Sequence, residues 1–150
     1  MSETEATSGY EIPFPLEIVI NAYPVSSQTD NKKGREAWKR FVGECAQNRI
    51  NDVIGWYYLD ERPLMAIIYF FPPDEMDGDI DNIAKPILDG MIAIAYPDDR
   101  LIERAVVQKF EPHVKWSFSA PSPMLASALD MDPPALYIRL EADTAWRHFT

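Results

Sequence analysis

The chain has 150 residues at 17.2 kDa, which is the size of one ordinary domain with a real core and leaves no room for several. Hydrophobic residues make up 47% and charged residues 25%, so neither a disordered nor a fibrous chain fits. The net charge is −10 and the pI is near 4.6, which excludes attachment to nucleic acid by bulk charge alone.

Cys45 is the single cysteine, so an intrachain disulfide and a C-x-x-C motif are both impossible. No basic, apolar leader and no long apolar run stands in the sequence, so a soluble protein of the reducing cytoplasm, not bound to a membrane, is expected. Residues 1–14 are predicted to form a flexible acidic tail, 15–142 a single domain, and 143–150 a C-terminal tail.

In chain order, Leu16, Ile18 and Ile20 alternate with more polar neighbours and predict a first strand ended by Tyr23-Pro24. Residues 26–34, SSQTDNKKG, carry turn chemistry and predict a loop. Ala37, Trp38, Phe41, Val42 and Cys45 form the stripe of a helix from about Arg35 to Asn48, with Cys45 read as a core residue. Leu64 to Phe71 is a nearly continuous apolar run, expected to be a central strand covered on both faces and ended by Pro72-Pro73.

Ile83, Ile87, Met91 and Ile94 predict a second helix capped by Asp81 or Asn82, with Pro86 close to its first turn. LIERAVVQKF, residues 101–110, is a third strand. Residues 112–134 hold five prolines and predict a loop with one helical turn around MLASAL. Leu136 to Leu140 is a closing strand. The fold class is therefore α/β (α+β): a small mixed sheet with two main helices packed on it, in the order β-α-β-α-β plus a final strand.

The chemistry concentrates between Asp74 and Asp99, where Asp74, Glu75, Asp77, Asp79, Asp81, Asp89, Asp98 and Asp99 face the single base Lys85. Two carboxylates about 5 Å apart repel by roughly 3 kcal/mol at an effective dielectric near 20, so a tight cluster favours a bound cation. In an extended segment Asp79 and Asp81 would share one side. From a helix start near Asp81, Asp81, Lys85 and Asp89 follow at i, i+4 and i+8 along one polar face.

Oxygen donors without His or Cys suit Mg²⁺ or Mn²⁺ better than zinc. A solvated acidic face with Lys85 as an i, i+4 salt-bridge partner is the plain alternative; Asp98 then forms a turn, Asp89 pairs within the helix, and Asn82 caps it. DGDIDN fails as a calcium loop, because Asn82 stands where Gly is needed and Leu88 where Glu is needed. Haloacid-dehalogenase phosphatases share D-x-D, Lys and D-D, but spread them over a much longer chain. His113 and His148 lie outside the cluster and receive no catalytic role.

The string DIDNIAKPILDGMIAIAYPDD, followed by LIERAVVQKFEP, resembles the RusA family of Holliday-junction resolvases. Asp79, Asp81, Asn82, Lys85, Asp89, Asp98 and Asp99 match its D-x-D-N, Lys, Asp and D-D pattern. Pro24-Val25-Ser26, Gln28 and Trp38-Lys39 look like the segment before it, so the likeness spans about residues 16–112.

The resemblance implies a homodimeric, Mg²⁺-dependent endonuclease that cuts opposed strands of four-way or otherwise branched DNA in recombination and repair, with Mn²⁺ as a substitute ion. It implies Asp79, Asp81 and Asp99, joined by Asp98, as metal-binding carboxylates and Lys85 as the catalytic, base-type side chain at the phosphate. Lys32, Lys33, Arg35, Lys39 and Arg40 form the one dense basic patch of the sequence and are expected to contact DNA phosphates. A non-catalytic homologue that binds DNA or protein and keeps a divalent-cation site is the alternative, consistent with the net charge of −10.

Overall fold

A computed structural model describes residues 12–54, 60–76 and 78–142. Residues 1–11 of the expected N-terminal tail 1–14, the expected C-terminal tail 143–150 with His148, and the cluster residue Asp77 lie outside the described residues. The elements are β1 (Leu16–Ile20), α1 (Lys32–Ile54), β2 (Leu64–Phe71), α2 (Asp81–Gly90), a 3₁₀ turn (Asp99–Leu101), β3 (Ile102–Lys109), α3 (Pro123–Asp130) and β4 (Ala135–Glu141).

The four strands form one mixed sheet in the order β1-β4-β2-β3. β4 runs antiparallel to both neighbours, with Ile138 opposite Ile18 on one side and Ile68 on the other. β2 and β3 are parallel, Ile67 opposite Val106. Parallel neighbours need a crossover, and α2 is carried on it. The acidic segment of the sequence is this crossover: it leaves the C-terminal end of β2 with Asp74 and Asp79 and returns with Asp98 and Asp99 to the start of β3, at the other end of the parallel pair.

Period-2 alternation turns Leu16, Ile18 and Ile20 of β1, Leu64, Ala66, Ile68 and Phe70 of β2, and Leu136, Ile138 and Leu140 of β4 into one core face. Trp38, Val42, Ala46 and Ile50 of α1 and Ile83 and Ile87 of α2 cover it. The other face carries a smaller aromatic cluster. Tyr69 stacks on Tyr137 at 5.7 Å and Phe71 on Phe110 at 5.0 Å, under Leu125 and Ala128 of α3.

Several expectations are corrected. α1 starts at Lys32 because the Asn31 side chain caps it, its Oδ1 accepting the Gly34 N–H at 2.9 Å, so part of the expected loop is helical. Its buried stripe keeps an i, i+4 spacing from Trp38 through Ile50, which turns Ala37 and Phe41 outward. Cys45 is half-buried against the core, where burial first and the nearby Glu44 second push its thiol above the usual range.

β2 is not fully covered on both faces, since Met65, Ile67 and Tyr69 are half-exposed on the α3 side. α2 stops at Gly90, so Ile94 belongs to the following turn. The single helical turn expected around MLASAL is the eight-residue α3, capped by Ser122, whose hydroxyl accepts the Leu125 N–H at 3.1 Å. Packing also begins earlier than the expected tail boundary: Ile12 is buried and its carbonyl accepts a bond from Arg62.

Arg62 is locked in turn by the buried Asp60, through Nε at 3.0 Å and Nη2 at 2.5 Å. The helices α1 and α2 meet at a pair of glycines. A Cβ on Gly43 would stand 2.8 Å from the Gly90 carbonyl oxygen, and one on Gly90 would stand 2.7 Å from that of Lys39. Both obstacles are backbone, so neither can yield by a rotamer change. Gly90→Ala is expected to destabilise the protein by about 1–3 kcal/mol, the range for overpacking a filled contact, measured as a lower urea midpoint.

Candidate active site

α2 and the segments flanking it hold the chemistry. Ile80 precedes the helix in right-handed helical conformation and offers no side-chain cap. Asp81 and Asn82 are therefore the first helical residues, not caps. The Asn82 N–H bonds back to the Asp79 carbonyl at 3.3 Å, closing a turn where an extended segment was expected. The alternation argument for Asp79 and Asp81 consequently does not apply. Both side chains are exposed, Asp81 in the first turn of α2, where the positive end of the helix dipole favours an anion.

Pro86 lies inside α2, well past its first turn. Proline has no N–H to give to the carbonyl four residues back, and its ring crowds that carbonyl. The carbonyl is that of Asn82, and it accepts instead the Ser27 N–H at 2.8 Å. The loop after β1 is thus pinned to the acidic helix by a bond that an unbroken helix would have consumed.

Lys85 reaches two carboxylates at 2.9 Å, Asp89 one turn along α2 and Asp99 on the 3₁₀ turn before β3. Asp89 also faces Lys39 of α1 at 3.8 Å. The four side chains alternate in sign, Lys39, Asp89, Lys85, Asp99. Hydrogen bonds to Asp89 and then Asp99 hold the Lys85 pKa above the ordinary lysine value, so the amine stays charged at neutral pH and is no proton acceptor there. The Lys85 bond in turn holds the Asp99 carboxyl below the usual carboxylate range.

Tyr96 is buried beneath this pair and donates to the Leu88 carbonyl at 2.6 Å. Its hydroxyl is pushed up by burial first and by Asp99 and Asp89 next, so it stays neutral and serves as a fixed donor. Asp98 caps the 3₁₀ turn, accepting the Arg100 N–H at 3.1 Å.

Among the described residues, no three His, Cys, Asp or Glu side chains stand close enough together to hold a metal ion. Asp79, Asp81, Asp98 and Asp99 supply hard oxygen donors, and that donor chemistry fits a divalent cation of the Mg²⁺ type. Asp99, however, is already engaged by a protein cation, Lys85.

The basic patch divides. Lys32, Lys33 and Arg40 are exposed, while Arg35 donates to the Thr29 carbonyl at 2.7 Å and Lys39 is paired with Glu36 and Asp89. Lys39 alone of the patch stands at the helix crossing, beside Gly90 near the C-terminal end of α2.

Sequence reasoning missed a cavity of about 410 Å³ beside Asp79. It lies between the loop after β1, with Tyr23, Ser26 and Gln28, and the segment from Pro72 to Ile83. Glu111 fastens the far wall, accepting the Met76 N–H at 2.7 Å. The one signal in the sequence was Tyr23-Pro24, which marks where a strand stops and says nothing of what the tyrosine faces.

The crossover between two parallel strands thus carries exposed carboxylates and a lysine held in its charged form by two aspartates. The family model described as Endodeoxyribonuclease RusA matches residues 5–115, and the chain belongs to that family of Holliday-junction nucleases. No curated protein matches the chain. The family match takes in the cavity loop, α1, β2, α2 and β3, and ends before α3 and β4.

The Lys85–Asp99 pair contributes to stability at neutral pH and is lost as pH falls through the depressed Asp99 pKa. On the alkaline side it is fully present below the ordinary lysine pKa and is lost as pH rises through the raised Lys85 value. For so exposed a pair, wild type should exceed Asp99→Asn by about 0.5 kcal/mol at neutral pH. Urea midpoints should show that difference shrinking to nothing well below the ordinary aspartate pKa of about 3.9.

Proposed function

We propose that this chain is a Mg²⁺-dependent, structure-selective endonuclease that works as a homodimer on branched DNA, each subunit cutting one of two opposed strands. The observation that carries this reading is Lys85: a lysine kept charged by Asp89 and Asp99, 62% exposed, on the helix whose first turn carries Asp81 and follows Asp79. Asp79, Asp81, Asp98 and Asp99 are the carboxylates that would hold the divalent cation once drawn together around it, and Mn²⁺ would serve in place of Mg²⁺. Such an ion, when bound, polarises a phosphoryl oxygen and lowers the pKa of a water.

Lys85 supplies positive charge to the phosphate as negative charge builds on it. Asp89 orients Lys85 and is itself steadied by Lys39. Asp99 is shared: it holds Lys85 as described, and it is one of the carboxylates offered to a cation. Lys32, Lys33 and Arg40 reach phosphates further along the strand. Arg35 keeps the turn before α1 in place through Thr29.

Asp79→Asn is expected to lower junction cleavage by about 100-fold or more, the scale of losing an electrostatic stabiliser, while junction binding stays close to wild type. Lost binding with unchanged metal uptake would contradict the assigned role. Lys85→Met should lose cleavage on the same scale yet bind Mn²⁺ no more weakly than wild type, since a cation competing for Asp99 has been removed; calorimetric titration reads this directly. Replacing Lys32, Lys33 and Arg40 by Ala should weaken junction binding and flatten its dependence on salt.

A second reading, a homologue that binds branched DNA or protein and a cation without cutting, draws support from the net charge of −10. Cation uptake without nicking under any divalent condition would favour it.

A further inference from the structure

We propose that Glu111 is a positioning residue for the cation: by holding the Met76 N–H it fixes the loop that presents Asp79, and so sets how tightly the site takes up a divalent ion. The inference rests on the nuclease reading, in which Asp79 is one of the carboxylates around that ion.

Glu111 itself stands on a rigid base. The Phe110 N–H before it donates to the Phe70 carbonyl at 2.8 Å, and the Phe110 ring stacks on Phe71 at 5.0 Å, so the chain leaving β3 is fastened to the end of β2. Both carboxylate oxygens are engaged within the protein. Oε2 accepts the Met76 N–H at 2.7 Å and Oε1 meets Lys109 at 3.1 Å, with the side chain 11% exposed. The Met76 bond first and Lys109 next hold the carboxyl below the usual glutamate range, so the acceptor is ionised at neutral pH.

Residues 72–80 link β2 to α2, and Met76 is where this loop is caught in two ways. Its N–H is held by Glu111 and its side chain packs against the main core. Past it, Gly78 turns the chain at a φ of 85°, and the Asp79 carbonyl accepts the Asn82 N–H at 3.3 Å. Asp79 therefore sits between two tethers, one upstream at Met76 and one in the first turn of α2. Without the Glu111 bond, the backbone ahead of Asp79 gains freedom that a cation would have to remove on binding. Ordering a loop at the moment of binding subtracts from affinity; ordering it beforehand does not.

The test uses the full chain, with Mn²⁺ uptake read by calorimetric titration in the absence of DNA and junction cleavage read across a Mg²⁺ series. Glu111→Ala should bind Mn²⁺ roughly tenfold more weakly, the scale of losing one charge-assisted hydrogen bond, and should need correspondingly more Mg²⁺ for half-maximal cutting. Its rate at saturating Mg²⁺ should stay close to wild type. Two further variants separate reach from charge. Glu111→Gln keeps an oxygen in place for the Met76 N–H and should restore wild-type affinity. Glu111→Asp keeps the charge but pulls the oxygen back by one methylene, and should bind as weakly as Glu111→Ala. Ser122→Ala, which uncaps α3, should lower the urea midpoint and leave Mn²⁺ affinity unchanged. Three results overturn the positioning role and leave the nuclease intact: the reverse ranking of Glu111→Gln and Glu111→Asp, wild-type affinity in all three Glu111 variants, or Ser122→Ala weakening uptake as much as Glu111→Ala. A wild-type chain that takes up no Mn²⁺ and cuts with no divalent cation overturns the nuclease reading and this inference with it.

Discussion

The close approach of α1 and α2 at Gly43 and Gly90 is the constraint on which the rest of the site depends. With carbonyl oxygens under 3 Å from where either Cβ would stand, the two helix backbones touch without intervening side chains. That contact brings Lys39 of α1 to Asp89 of α2 and so begins the alternating row that runs through Lys85 to Asp99. A wider crossing would leave Asp89 facing water. Lys85 would then lose the fixed acceptor that most raises its pKa.

The same row explains how an acidic fold tolerates its charge. Most of the net negative charge of the chain falls in one segment, yet the half-buried carboxylates Asp89 and Asp99 both pair with lysine, while Asp79 and Asp81 remain at the surface where water screens them. Repulsion is therefore handled in two ways: by pairing where solvent is scarce and by exposure where it is plentiful. The exposed members stay available to an added cation. The paired members keep Lys85 charged.

Much of the framework was legible because it obeys simple periods. β1, β2 and β4 alternate, and the i, i+4 spacing of Lys85 and Asp89 gave a true contact. α3 was harder because prolines surround it, although Ser122 followed by Pro123 is itself a helix-start signal. The Lys85–Asp99 contact could not be read from spacing at all. It depends on the turn after α2, where Ala93 takes a positive φ of 65° with no glycine to announce it, and where Tyr96 bonds back to Leu88. The division of the basic patch was equally hidden, since Arg35 and Lys39 look like Lys32 and Lys33 until their partners are known.

Pro86 joins these threads. In an ordinary helix the Asn82 carbonyl would be spent within α2, and the loop after β1 would need some other anchor. Proline cancels that internal bond at the cost of helix stability, and the freed acceptor is taken by Ser27. The consequence is mechanical: the loop cannot shift far at Ser27 without disturbing the turn of helix between Asp81 and Lys85. The loop after β1 and the helix that carries Asp81 and Lys85 are thereby tied into one unit.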